Sequence, residues 1–76
     1  MTLHEAPVGA VLQRPGATDT TDSVTILSHF SNLFGAGTTY RRYGSFTILT
    51  LDEHADPRTH PEAAGDWIRI DSADAG

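Results

Sequence analysis

The sequence contains no cysteine and no lysine, and both absences narrow the classes of protein to which it can belong. Without cysteine no disulfide stabilises the fold, and thiol chemistry says nothing about the redox compartment. The five cationic side chains are all arginines, set against ten carboxylates, which gives a formal net charge of −5 at pH 7. Because an acidic chain repels nucleic acid and anionic membranes over long range, we expect neither as a partner.

The sequence also lacks any hydrophobic run of membrane-spanning length, and its first residues lack the basic and apolar regions of a signal peptide. We therefore expect a protein of the cytoplasm or of a virion. The 76 residues make one domain at most. Hydrophobic residues account for 38% of the chain, which predicts a folded core and not general disorder.

Composition divides the chain into three parts. Residues 1–23 hold few large aliphatic side chains and end in the polar stretch "GATDTTD", so we predict an extended arm with a short strand at 7–13. Residues 24–71 are expected to form a compact domain, and residues 72–76 a tail. The arm buries too little apolar surface to offset the entropy of ordering it, so we expect a partner to order it. The strand at 7–13 pairs either within the chain or with a neighbour.

The segment 22–37 favours a helix. Its large apolar residues recur at spacings of three and four, as one helical face requires: Ile26, Leu27, Phe30, Leu33 and Phe34. Asp22 suits the N-cap, and Gly35 suits the left-handed position after the last turn. A strand is the alternative, because β-branched residues open the segment and apolar side chains also alternate from Val24 to Phe30.

The segment 38–52 predicts a hairpin around a two-residue Gly44-Ser45 turn. This register pairs Tyr40 with Leu49 and Tyr43 with Phe46. One face then carries Tyr40, Leu49 and Leu51, and the other carries Tyr43, Phe46 and Ile48. A lone helix covers only one of these faces, so the second needs a partner.

A last strand is predicted at residues 66–71, with Trp67 and Arg69 on one side and Ile68 and Ile70 on the other. The expected fold class is α+β, with one helix packed on a small antiparallel sheet and the N-terminal arm extending from it. The element order is β-α-β-β-β or α-β-β-β. A small all-β fold is the alternative.

The stretch "LDEHADPRTHPEAAGD" at residues 51–66 is the candidate metal site, with His54, Asp56 and His60 as its possible ligands. Pro57 and Pro61 exclude a regular helix between the histidines, and no spacing rule selects these residues. The competing interpretation is a solvated connection between strands in which Asp-Pro and His-Pro set turns. We therefore expect no cofactor and no resident metal.

No catalytic residue is predicted. Ser28 and His29 are adjacent, and adjacent residues of a helix do not face each other. The "YRRY" stretch at 40–43 has the side chains that stack bases and bind phosphates, but Arg41 and Arg42 point to opposite faces of a strand. Tyrosine and arginine are also enriched at the centres of protein interfaces, and the acidic chain favours that interpretation.

These observations indicate a non-enzymatic structural or interaction protein, a small subunit of a larger assembly such as a coat-associated, connector or tail component of a phage virion. Its partners are other proteins or copies of itself. The predicted contact residues are Leu3, Val8, Val11, Leu12, Tyr40, Arg41, Arg42, Tyr43, Phe46 and Trp67. Two alternatives stay open: a small metal-binding module centred on loop 52–62, and a regulatory accessory subunit of one enzyme.

Overall fold

A computed structural model describes residues 1–19 and 21–71, so the predicted tail at 72–76 lies outside the described residues. Five strands form one antiparallel sheet: β1 (Val11–Gln13), β2 (Ser23–Asn32), β3 (Gly35–Arg42), β4 (Leu49–Asp52) and β5 (Ile68–Arg69). Their spatial order is β4-β3-β2-β1-β5. The first four strands therefore run as a meander, and β5 returns to pair with the far edge of β1.

The predicted helix is wrong, because residues 23–32 form the strand β2. The only helical element in the described ranges is a single 3₁₀ turn at Pro61–Ala63. The protein is thus a small all-β fold and not a helix packed on a sheet. The β-branched start of the segment is compatible with this strand, because such side chains pack well on a pleated surface. No transmembrane helix is found among the residues that the structure describes.

A β-bulge in β2 breaks the alternation of side chains that a regular strand from Val24 to Phe30 would have. Ile26 pairs with Tyr40 and Ser28 pairs with Thr39, which leaves Leu27 as the extra residue. An extra residue shifts the alternation of side chains between the two faces of a strand. Ile26 therefore points into the core before the bulge, and His29, opposite the buried Thr38, lies on the same side of the sheet after it but is itself exposed.

The core lies on one face of the sheet, under a cover made by residues 1–10 and 53–67. Its buried apolar residues are Leu3, Ala6, Ala10, Leu12, Val24, Ile26, Tyr40, Leu51 and Trp67. The segment predicted as an extended arm supplies the first four of these, and β1 pairs with β2 and β5 of the same chain. The backbone of Met1 also exchanges two hydrogen bonds with that of Trp67, at 2.9 and 3.0 Å. Residues 1–13 are therefore part of the packed domain.

The hairpin made by β3 and β4 has the predicted register, with Tyr40 opposite Leu49. The predicted faces are also confirmed where the strands pair, since Tyr40 and Leu51 are buried. The predicted two-residue turn at Gly44-Ser45 is not formed. The β3–β4 ladder ends at the Tyr40–Leu49 pair, and residues 43–48 form a wider loop. The predicted last strand at 66–71 is shorter than expected and covers Ile68–Arg69.

Candidate interaction surface

The predicted contact residues fall into two groups in the structure. Four of them are buried within their own chain: Leu3, Leu12, Tyr40 and Trp67. Val11 is partly buried in β1. The remainder reach the surface: Val8, Arg41, Arg42, Tyr43 and Phe46. The accessible candidates therefore concentrate at the end of β3 and in the loop that follows it.

Residues 43–48 present an apolar group that we call the loop cluster, made of Tyr43, Phe46 and Ile48. Phe46 is 94% exposed, and the other two are each 63% exposed. Gly44 has φ +75°, a backbone conformation that favours glycine, and the amide of Ser45 donates to the carbonyl of Arg42 at 3.0 Å. This local turn directs the side chains of the loop away from the core and towards solvent.

A second apolar group lies at the turn between β2 and β3, and we call it the hairpin tip. It consists of Leu33 and Phe34, which are 100% and 99% exposed. The Asn32 side chain accepts a hydrogen bond from the amide of Phe34 at 2.8 Å, and Gly35 has φ +143°. These residues hold the turn in shape, so the two large apolar side chains extend into solvent from a defined hairpin.

The hairpin tip was missed at the level of sequence because its residues were assigned to the apolar face of a helix. A signal for the turn is present, since Asn32 and Gly35 flank a two-residue loop between alternating segments. The apolar residues of this segment recur at helical spacing by coincidence, because they belong to a strand and a turn. Of the residues in that pattern, Ile26 alone belongs to the buried core.

Opposite charges mark the two ends of β3. Arg41 is exposed beside the loop cluster. At the other end, Asp52 pairs with Gly37, and the amide of Glu53 donates to the carbonyl of Ala36 at 3.0 Å. Both carboxylate residues thus lie at the base of the hairpin tip. An exposed arginine and apolar side chains therefore mark one end of the sheet, and two exposed carboxylates, one of them 3.2 Å from His54, lie beside apolar side chains at the other.

A cavity of about 260 Å³ opens beside the loop cluster, and we call it the loop cavity. Its walls come from β2, from the end of β3 and from the loop itself: Thr25, Arg41, Arg42, Tyr43, Gly44, Ser45 and Phe46. Two arginines and two aromatic residues are among the residues that form its walls. Such a wall accepts an apolar side chain and places positive charge at its edge.

A second cavity of about 240 Å³ lies on the core side of the sheet, next to Trp67. The guanidinium of Arg14 sits 4.3 Å from the centre of the Trp67 ring, within cation–π range. Arg42 and Glu62 approach to 3.6 Å at its edge. Burial raises the pKa of the Tyr40 phenol, and the Glu62 carboxylate raises it further. The lining holds two arginines, Arg14 and Arg42, and two carboxylates, Asp22 and Glu62, so its formal charges balance.

Two histidines meet at one buried hydroxyl between the N-terminal segment and the sheet. His29 Nε2 donates to the carbonyl of Ala6 at 2.6 Å, because a carbonyl oxygen can only accept. With a neutral His29 ring, the Thr38 hydroxyl donates to Nδ1 of His29 and accepts from Nδ1 of His4, both at 2.8 Å. These bonds join residues 4–6 to β2 and β3, which is a structural role.

The candidate metal ligands are not brought together. His54 contacts the neighbouring Glu53 at 3.2 Å, and His60 shares a hydrogen bond of 2.9 Å with Thr59. Asp56 accepts from the backbone and the guanidinium of Arg58. Across residues 1–19 and 21–71, no group of three or more histidine and carboxylate side chains is arranged to hold a metal ion.

Comparison of the chain with protein-family models, with curated proteins and with solved structures gave no match.

Proposed function

We propose that the protein is a non-enzymatic interaction module, a small subunit that binds other protein chains in a larger assembly. The observation that carries this proposal is the hairpin tip, where Leu33 and Phe34 are adjacent and almost wholly exposed. Single exposed apolar residues are ordinary on protein surfaces, but contiguous apolar groups mark interaction sites. Burying two such side chains against a partner removes their apolar area from water, which favours association.

The loop cluster gives independent support. The sequence predicted that the face carrying Tyr43, Phe46 and Ile48 needs a partner, and all three side chains are exposed. Tyrosine, phenylalanine and arginine are enriched in interfaces, and Arg41 lies beside this cluster. Each end of β3 therefore offers an apolar contact with charge next to it.

We extend the proposal to the setting of a phage virion, as a coat-associated, connector or tail component. The small size and the acidic, lysine-free composition support this setting. In such an assembly each small subunit contacts several neighbours, which fits a chain with two separate apolar surfaces. The protein is then found in virions, or in the cytoplasm before assembly.

Native mass spectrometry of the chain isolated from its source tests the proposal. We expect a complex with protein, unchanged by EDTA, since the proposed contacts need no metal. The double variant Leu33→Ser/Phe34→Ser is expected not to bind in the complex. It should keep the circular dichroism spectrum of the unmodified chain.

The matched control is Ile68→Thr, which removes an exposed apolar residue from β5, away from both proposed contacts, and keeps a β-branched side chain in the strand. It should stay in the complex. A free monomer in the source material overturns the proposal, as does a complex that retains the tip variant and the control equally. A metal-loaded monomer that loses its metal in EDTA would favour the metal-binding alternative.

A further inference from the structure

We infer that the partner of the hairpin tip is a second copy of this chain, which receives the tip at its loop cavity, so that copies associate head to tail. This inference rests on the proposed function and adds the identity of the partner. It draws on three features found at the two ends of β3: an apolar projection before its start, a cavity at its end, and opposite charges beside the two places.

The first feature is the position of the two apolar surfaces. The hairpin tip precedes β3 and the loop cluster follows it, and β3 has eight residues. At about 3.3 Å per residue the seven steps from Gly35 to Arg42 span roughly 23 Å, and the two surfaces lie beyond the two ends of that span. They cannot contact each other in one chain, and each remains available to a neighbour. A chain with two different surfaces at opposite ends is suited to heterologous contacts, which build rings or filaments.

The second feature is shape. Leu33 and Phe34 project from a tight turn, whereas the loop cavity is a concave site of about 260 Å³ beside Phe46. The volume of a single phenylalanine or leucine side chain fits within a site of this size. The aromatic rings of the loop cluster offer the edge and face contacts that a second phenylalanine prefers.

The third feature is charge, and it distinguishes head-to-tail contact from the two symmetric alternatives. Contact between two hairpin tips would bring the Asp52 and Glu53 carboxylates of both copies together. Contact between two loop clusters would bring their Arg41 side chains together. Both arrangements place like charges close to one another, which opposes association. The head-to-tail arrangement alone places Arg41 of one copy next to the carboxylates of the other.

Sedimentation equilibrium of the purified full chain tests the inference. We expect the weight-average mass to rise with protein concentration and to fall when salt screens the exposed charges. Two variants separate the contacts. The tip variant Leu33→Ser/Phe34→Ser keeps the loop cavity, and the loop variant Arg41→Glu/Phe46→Ser keeps the hairpin tip.

Each variant alone should be monomeric, because each lacks one half of the contact. An equimolar mixture should form dimers and nothing larger, because one intact tip meets one intact cavity. Charge reversal provides a second test: Arg41→Glu and Glu53→Arg should each weaken association at least tenfold, and the chain carrying both should recover it. Circular dichroism of each variant verifies that it is folded.

A loop variant or a tip variant that dimerises alone would overturn the inference in favour of a symmetric contact. A mixture that stays monomeric while the unmodified chain associates would overturn it too. If the unmodified chain is monomeric at all concentrations, self-association is excluded. The proposed function then still stands or falls on whether the tip variant is lost from a complex with a different protein in the source material.

Discussion

The ring of Phe30 lies over Gly37, its direct partner across β2 and β3. A Cβ atom at position 37 would come within 2.9 Å of Phe30 Cζ and would press against the carbonyl oxygen of Leu51 on β4. The Leu51 contact is with backbone, which the β3–β4 ladder holds in place. Glycine is therefore required for the close approach of three strands at the base of the hairpin tip.

Replacing Gly37 with alanine should lower the free energy of unfolding by about 1–3 kcal/mol, the usual cost of forcing extra volume into a packed site. Chemical denaturation measures the change. The matched control is Gly65→Ala, whose Cβ would meet only Thr2 Cγ2 at the ordinary distance of 3.5 Å. We expect the control to change stability by less than about 0.5 kcal/mol. Equal stability of the two variants would show that the strands shift to accept a Cβ at position 37.

The Thr38 hydroxyl should matter more to stability than other threonine hydroxyls, because it is buried and joins His4 to His29. Thr38→Val keeps the shape and removes the hydroxyl, so both Nδ1 atoms lose their partner. We expect a loss of about 1–3 kcal/mol in the free energy of unfolding, the usual net contribution of two hydrogen bonds.

Thr39→Val is the control for this prediction. The Thr39 hydroxyl bonds to Ser28 at 2.5 Å on the exposed side of the sheet, where water replaces a lost partner. Its effect should stay within about 0.5 kcal/mol. Similar losses for the two valine variants would mean that the histidine bonds contribute nothing specific.

The register of the β3–β4 hairpin could be predicted from local chemistry, whereas the identity of β2 could not. Gly44-Ser45 favours a turn, and alternation assigns Tyr40 and Leu51 to one face, which is buried in the structure. In residues 23–34 the apolar residues satisfied a helical period as well. Pairing of β2 with β1 and β3 decided between the two, and such long-range pairing is not visible in a local pattern.

The exposed contact residues could be predicted from sequence only where they lie in a local hairpin. Tyr43 and Phe46 were predicted as contact residues from the face of a hairpin, and they are exposed. Leu3 was predicted as a contact residue because its segment seemed too poor in apolar residues to order alone, and Trp67 because a lone tryptophan suits an interface as well as a core, yet both are buried in one core. The N-terminal segment looks too poor in aliphatic residues to fold alone. It is ordered here because it packs on strands that lie later in the sequence.

The ion pair between Arg69 and Asp71 should make stability depend on pH. Arg69 Nε and Nη2 donate to the two oxygens of Asp71 at 2.7 and 3.2 Å. These bonds lower the pKa of the Asp71 carboxyl below its ordinary value of 3.8. Because the folded-state pKa is the lower one, the stabilisation is fully present above the ordinary pKa and is lost as the pH falls through the folded value.

Carboxyl NMR titration should place the Asp71 midpoint below 3.8, the ordinary value, and 1 M salt should move it back towards that value because salt screens the pair. Unfolding measured below about pH 4 should show a shallower loss of stability for Asp71→Asn than for the unmodified chain. A midpoint at the ordinary value, or parallel pH profiles for the two chains, would show that the pair does not persist in solution.

Leu3 should behave as a core residue of the monomer and not as part of a docking arm. It is fully buried, whereas Val8 in the same segment is 61% exposed. Leu3→Ala should lower the free energy of unfolding by about 2–5 kcal/mol, since it removes buried methyl groups and leaves a cavity. Val8→Ala should cost less than about 0.5 kcal/mol. Domains of this size are stable by only about 0.05–0.15 kcal/mol per residue, so Leu3→Ala should unfold a large fraction of the chain on mild heating.

An arm that is ordered only by a partner would give the opposite result, with unchanged monomer stability for Leu3→Ala and loss of the complex.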